Sequence, residues 1–123
     1  MKKAIVVVDM QKDFIDGALG TKEAQEMLPR MEKKLAAARA AGTALVFTMD
    51  THGADYLATQ EGQKLPVPHC IRGTEGWEIA AVLQPFAREA AAVLEKPAFG
   101  STALPVVLAD YEAIELVGLC TDI

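Results

Sequence analysis

The run Ala4-Ile5-Val6-Val7-Val8 constrains this chain more than any other stretch. It is apolar without alternation and mostly β-branched, which specifies a strand covered on both faces, as strands of parallel sheets are. Asp9 closes the run, so a carboxylate stands at the strand's carboxyl end. Two further runs share this character, Thr43 to Thr48 and Ile114 to Gly118, and a weaker one, Ala91 to Glu95, precedes Lys96. Between the first two runs, Leu28, Met31, Leu35 and Ala38 recur at helical spacing; Pro29 suits a first turn and Gly42 a stop, predicting a helix over 29–41. Further helices are predicted over 76–88, with Pro85 as an interruption, and over 103–110, capped near Ser101 or Thr102. Strand alternating with helix predicts an α/β fold: a three-layer αβα, Rossmann-like domain with a mostly parallel sheet and right-handed crossovers.

The segment 50–74 is long, polar and irregular, with Gly53, Gly62, Pro66, Pro68 and Gly73. Loops of that size in compact domains tend to carry function. Composition narrows the function classes. Twelve Lys and Arg against seventeen Asp and Glu give a net charge of −5, unlike the clustered positive charge that binds nucleic acid. The apolar runs fall far short of the roughly 18–20 residues that span a bilayer. Cys70 and Cys120 are too few and too far apart for a disulfide framework, which predicts a cytoplasmic protein. One domain over 1–123 is expected.

Ligands of open α/β sheets bind beyond the carboxyl ends of the strands. There the chain places Asp9, then Asp50 and His52, then Lys96, then Cys120-Thr121-Asp122. Asp9 at a sheet rim is either a loop-starting residue that binds nearby amides or a general base. A lone lysine at a strand end is ordinarily solvated, but facing a buried carboxylate it would orient that group and favour a thiolate. As strand-end residues, Asp9 and Lys96 are expected to be replaceable without unfolding. Both histidines, His52 and His69, share the irregular loop with Asp50 and Glu61, and two imidazoles with carboxylates suit Zn²⁺, Fe²⁺ or Mn²⁺. The alternative is a loop whose histidines only hydrogen-bond locally.

Taken together, these motifs resemble the isochorismatase-like cysteine hydrolase superfamily, and within it the nicotinamidase branch. The resemblance rests on Val8-Asp9-Met10-Gln11-Lys12-Asp13-Phe14, Asp50-x-His52, Pro68-His69, Lys96-Pro97 with Phe99 and Ser101, and Val117-Gly118-Leu119-Cys120-Thr121-Asp122, in that order along the chain. It implies that Asp9 is the catalytic base and Lys96 its partner in an Asp-Lys-Cys triad. It implies that Asp50, His52, Glu61 and His69 hold a divalent metal, with Glu61 the most variable ligand in the family, and that Phe14 and Phe99 face the substrate. By the same resemblance the nucleophile stands at position 124, one residue after Ile123, and Cys120 contributes a backbone N–H to the oxyanion hole. The chain is therefore expected to continue, because a sheet ending at its last buried strand leaves an apolar edge uncovered.

The implied activity is hydrolysis of a small amide through a thioester, with nicotinamide giving nicotinate and ammonia. Ureido or carbamoyl amides and isochorismate are the alternatives within the superfamily; a non-catalytic member is the alternative if position 124 is not cysteine. The partner is a small-molecule amide rather than nucleic acid or membrane, and the family's habit of self-association implies a homo-oligomer.

Overall fold

All four predicted runs form strands, displaced by one or two residues: β1 (Lys3–Val8), β2 (Ala44–Asp50), β3 (Ala92–Lys96) and β4 (Ala113–Gly118). The computed structural model describes residues 2–96 and 104–119. Its sheet has the order β3-β2-β1-β4, with every pairing parallel. The expected α/β sheet is thus observed, and the most continuously apolar strand, β1, lies between β2 and β4. Val6, without exposed surface, pairs in register with Val46 and Leu116. Val6→Asp would bury an unpaired carboxylate there, a cost comparable with the whole stability of about 5–15 kcal/mol of such a domain. The expected outcome is loss of the cooperative thermal transition in circular dichroism.

One sheet face carries Ile5, Val7, Leu45, Phe47 and Met49, which pack with Met31, Leu35 and Ala38 of the long helix and with Phe86. That helix is the first point of disagreement with the sequence reading. The structure has a short α1 (Lys12–Ile15) and then α2 spanning Lys22–Ala40, so Pro29 lies inside the helix rather than at its start. Thr21 caps it, accepting a hydrogen bond from Ala24 N at 3.1 Å. Pro29 is exposed, and the carbonyl it cannot serve belongs to Gln25, a residue exposed to solvent as well. The stop at Gly42 is as predicted, with φ +79°.

The helix expected over 76–88 is reduced to two 3-10 turns, Glu75–Trp77 and Ala81–Leu83, and α4 (Gln84–Arg88), with Pro85 in the first turn of α4. The cause is pairing elsewhere. Lys12 N donates to Glu78 O, Ala80 N donates to Met10 O, and Ile79 bridges Gln11 in antiparallel fashion, so residues 78–80 are extended. Inside the 50–74 loop lie a 3-10 turn, Tyr56–Ala58, and α3 (Gln60–Lys64); α5 (Leu104–Leu108) is shorter than the predicted 103–110. Ile114 and Leu116 of β4 are exposed. The expected caps Ser101 and Thr102, and the site candidates Phe99 and Cys120, lie outside the described residues.

Candidate active site and metal centre

At the end of β1 the backbone turns sharply, with Asp9 at φ +52°, a left-handed conformation that Asp tolerates better than most residues. The turn places the Asp9 side chain inside the protein, with no exposed surface. Its Oδ2 accepts a hydrogen bond from Lys96 Nζ at 2.8 Å, and its Oδ1 accepts one from Thr48 Oγ1 at 2.9 Å. The lysine is buried as well, its side chain only 8% exposed. Lys96 ends β3 rather than following it, directly beside Asp50 at the end of β2. The parallel register therefore sets an ion pair from β1 and β3, the two strands that flank β2, next to the start of the irregular loop.

The loop brings its four candidate ligands together. Asp50 Oδ2 is 3.0 Å from His52 Nε2 and 3.5 Å from His69 Nε2, and Glu61 Oε2 is 3.0 Å from His52 Nε2. One ligand atom from each of the four lies within 4.8 Å of the others, a span that small side-chain shifts contract onto an ion with bonds of about 2 Å. His69 Nδ1 donates to Val67 O at 2.7 Å, which turns its Nε2 towards the cluster. This donor set fits Zn²⁺, Fe²⁺ or Mn²⁺.

Burial opposes ionisation of Asp50, but the hydrogen bond from His69 and the charges of His52 and Lys96 outweigh it and hold the carboxyl below its ordinary value. Burial likewise disfavours protonated His69, yet its bonds to Asp50 and Val67, with the charges of Asp50 and Glu61, raise it above the usual imidazole value. Aromatic rings wall the cluster. Tyr56 packs on His52 and His69 with centroids 4.6 and 5.1 Å away, and Phe14 meets His69 edge-on at 5.5 Å.

Cys70, next to His69, is fully buried, and burial with the charges of Asp50, Asp13 and Asp9 pushes its thiol far above the ordinary range. A thiol so held is a poor nucleophile. Gly118 at the end of β4 has φ +114°, and a Cβ there would strike the Val8 carbonyl. Leu119 N donates to Val8 O at 3.1 Å, so the end of β4 lies beside the turn that carries Asp9.

Comparison with known proteins places this arrangement. A family model described as the Isochorismatase domain matches residues 3–123. The chain belongs to the isochorismatase family. Among solved isochorismatase-like structures, the nicotinamidase/pyrazinamidase of Bacillus subtilis is 32% identical and superposes with a TM-score of 0.84, covering 99% of this chain and 73% of that one. The pyrazinamidase of Pyrococcus horikoshii, solved in complex with zinc, is 28% identical with a TM-score of 0.79 over 98% of this chain and 72% of that one. A curated relative, the streptothricin hydrolase of Streptomyces noursei, is 33% identical over 119 residues, 96% of this chain. The isochorismatase-family chain spans 38% of the length of that relative.

Of the predicted site residues, Asp9 and Lys96 meet in one ion pair, and Asp50, His52, Glu61 and His69 meet in one cluster with Phe14 at its side. Thr48, Gln11, Asp13 and Tyr56 were not foreseen. Gln11 and Asp13 stand in the quoted stretch Asp9 to Phe14, but only the structure shows their contacts: Asp13 Oδ2 accepts from Cys70 N at 2.7 Å, and the Gln11 amide grips Asp50.

Proposed function

We propose that this isochorismatase-family chain belongs to a cysteine-dependent amidohydrolase that converts nicotinamide to nicotinate and ammonia through a thioester. The observation that carries the reading is the meeting of a buried Lys96–Asp9 pair and a four-ligand cluster at the carboxyl ends of the strands. The nicotinamidase and pyrazinamidase neighbours, one solved with zinc, support it.

In this reading the nucleophile is a cysteine after Ile123, a few residues beyond the end of β4, which lies beside Asp9. Lys96 and Thr48 each hold one Asp9 oxygen, which fixes the orientation of the carboxylate that accepts the thiol proton in this reading. The thiolate adds to the amide carbonyl, and the oxyanion is received by the backbone N–H groups of Cys120 and of the nucleophile itself. Asp9 then passes its proton to the departing ammonia and takes one from the water that hydrolyses the thioester. A divalent ion on Asp50, His52, Glu61 and His69 would supply a Lewis-acid anchor for the pyridine nitrogen. Phe14 lies against the same cluster and would stack on the ring, with Phe99 as a second substrate contact. The enzyme is proposed to be a cytoplasmic homo-oligomer.

The test is incubation of the zinc-loaded, full-length protein with nicotinamide, followed by ammonia assay and peptide mapping of acid-quenched samples. Nicotinate and ammonia in equal amounts, with a nicotinoyl adduct on the residue after Ile123, are expected; Cys120→Ala retains turnover because only its backbone is used. An adduct on Cys70 or Cys120, or no ammonia, overturns the reading. The streptothricin hydrolase relative favours one second reading, in which a larger amide is the substrate. Turnover of streptothricin without turnover of nicotinamide would select it.

A further inference from the structure

We propose that Gln11 is a positioning residue that completes the sheet with its side chain and thereby sets the candidate metal ligand Asp50 against the Asp9–Lys96 pair. The inference rests on the metal-centre part of the proposed function and is independent of the identity of the substrate.

The ladder between β1 and β2 ends at Val8 and Thr48, because the backbone turns away at Asp9. β2 continues for two more residues, and on its other side Asp50 still pairs with Lys96, with Thr51 N donating to Lys96 O at 2.9 Å. On the β1 side, the Asp50 peptide groups have lost their backbone partner. Gln11 supplies one. Its Oε1 accepts from Asp50 N at 2.8 Å, and its Nε2 donates to Asp50 O, also at 2.8 Å. A donor and an acceptor presented to one residue's N–H and C=O reproduce the bonding of a parallel rung. The second Nε2 hydrogen goes to Trp77 O at 2.7 Å, fixing the amide's orientation from a third segment.

The chemistry of the position requires this amide. Gln11 is fully buried, and no apolar side chain can satisfy two carbonyls and an N–H there. Its location two residues after Asp9 means that the turn carrying the proposed base also holds the strand end that carries the proposed ligand. Asp50 then touches both imidazoles of the cluster. A backbone shift at Asp50 would therefore misplace the ligand on which the other contacts converge. Groups that orient ligands from outside a metal's coordination sphere typically change affinity by about 10–100-fold when removed.

The experiment titrates metal-free, full-length protein with Zn²⁺ against a chromophoric chelator, for the unsubstituted chain, Gln11→Met and Gln11→Glu. Met keeps the bulk without the hydrogen bonds; Glu keeps the length and the acceptor for Asp50 N–H but turns an acceptor towards two carbonyls. Zinc dissociation constants raised at least tenfold in both are expected, with the KM for nicotinamide rising more than kcat falls in the zinc-saturated forms. An unchanged zinc constant in either folded variant overturns the proposal, even if its thermal stability drops, as does failure of the unsubstituted protein to bind zinc. A second measurement needs no variant: the Asp50 N–H of the metal-free protein should exchange with deuterium as slowly as the β1–β2 ladder amides, and fast exchange contradicts the rung. Weakened zinc binding in the variants, with no nicotinamide turnover by the unsubstituted protein, leaves the role of Gln11 standing and removes the substrate reading.

Discussion

Lys96→Met is expected to cut nicotinamide turnover by roughly 10²–10⁴-fold, the usual loss when positioned proton transfer fails, and to destabilise the fold as well. The second effect departs from what strand-end positions alone suggest. Asp9 has no exposed surface and Lys96 almost none, so removing the ammonium strands a carboxylate in the interior, at a cost of about 3–5 kcal/mol. Asp9→Asn does the converse, leaving the ammonium opposite a neutral amide. The double variant Asp9→Asn/Lys96→Met removes both charges together, so urea denaturation should show it more stable than the sum of the two single losses, while its turnover stays as low as theirs. Additive stabilities would mean that the two charges do not depend on one another in the folded protein.

Asp50→Ala is expected to abolish tight binding of Zn²⁺ and, with it, nicotinamide turnover, because Asp50 is the carboxylate that touches both His52 and His69. Its removal also takes away the strongest of the contacts that raise His69, so protonation of the imidazole becomes less favourable. Equilibrium dialysis followed by metal analysis checks the first effect. Zinc content equal to that of the unsubstituted protein would remove Asp50 from the ligand set. Glu61→Ala should weaken binding less, since Glu61 contacts only His52 within the cluster.

How far the site was legible depended on how far each residue's role is local. The strand from 4 to 8 could be read because burial on both faces forces apolar residues at every position, and Asp9 stands out by ending that pattern. His52, Glu61 and His69 lie within twenty residues of Asp50, so their loop is visible as a loop. The partnership of Gln11 with Asp50 was hidden, since it crosses 39 positions and depends on where the β1–β2 ladder stops. The misread helix over 76–88 failed for a similar reason: its apolar spacing is helical, but residues 78–80 are recruited by the segment after β1. Pro29 lies inside the helix because the carbonyl it cannot serve is on the exposed side, where the lost bond costs least. Thr48, within a predicted strand, gave no sign that its hydroxyl would reach Asp9.

The strand order also dictates a sequence of assembly. Of the four described strands, β1 is made first and takes a central place in the sheet, and its two neighbours arrive at very different times: β2 ends at Asp50, whereas β4 begins only at Ala113. Residues 50–69, with all four metal-ligand candidates, are synthesised before Lys96, so a nascent chain can gather the proposed ion-binding cluster while Asp9 still lacks its cation. Until β4 arrives, one edge of β1 presents unpaired N–H and C=O groups of the most apolar stretch in the chain. That interval is when the growing polypeptide is most exposed to edge-to-edge association. An ion captured early would fasten β2 to its loop during it.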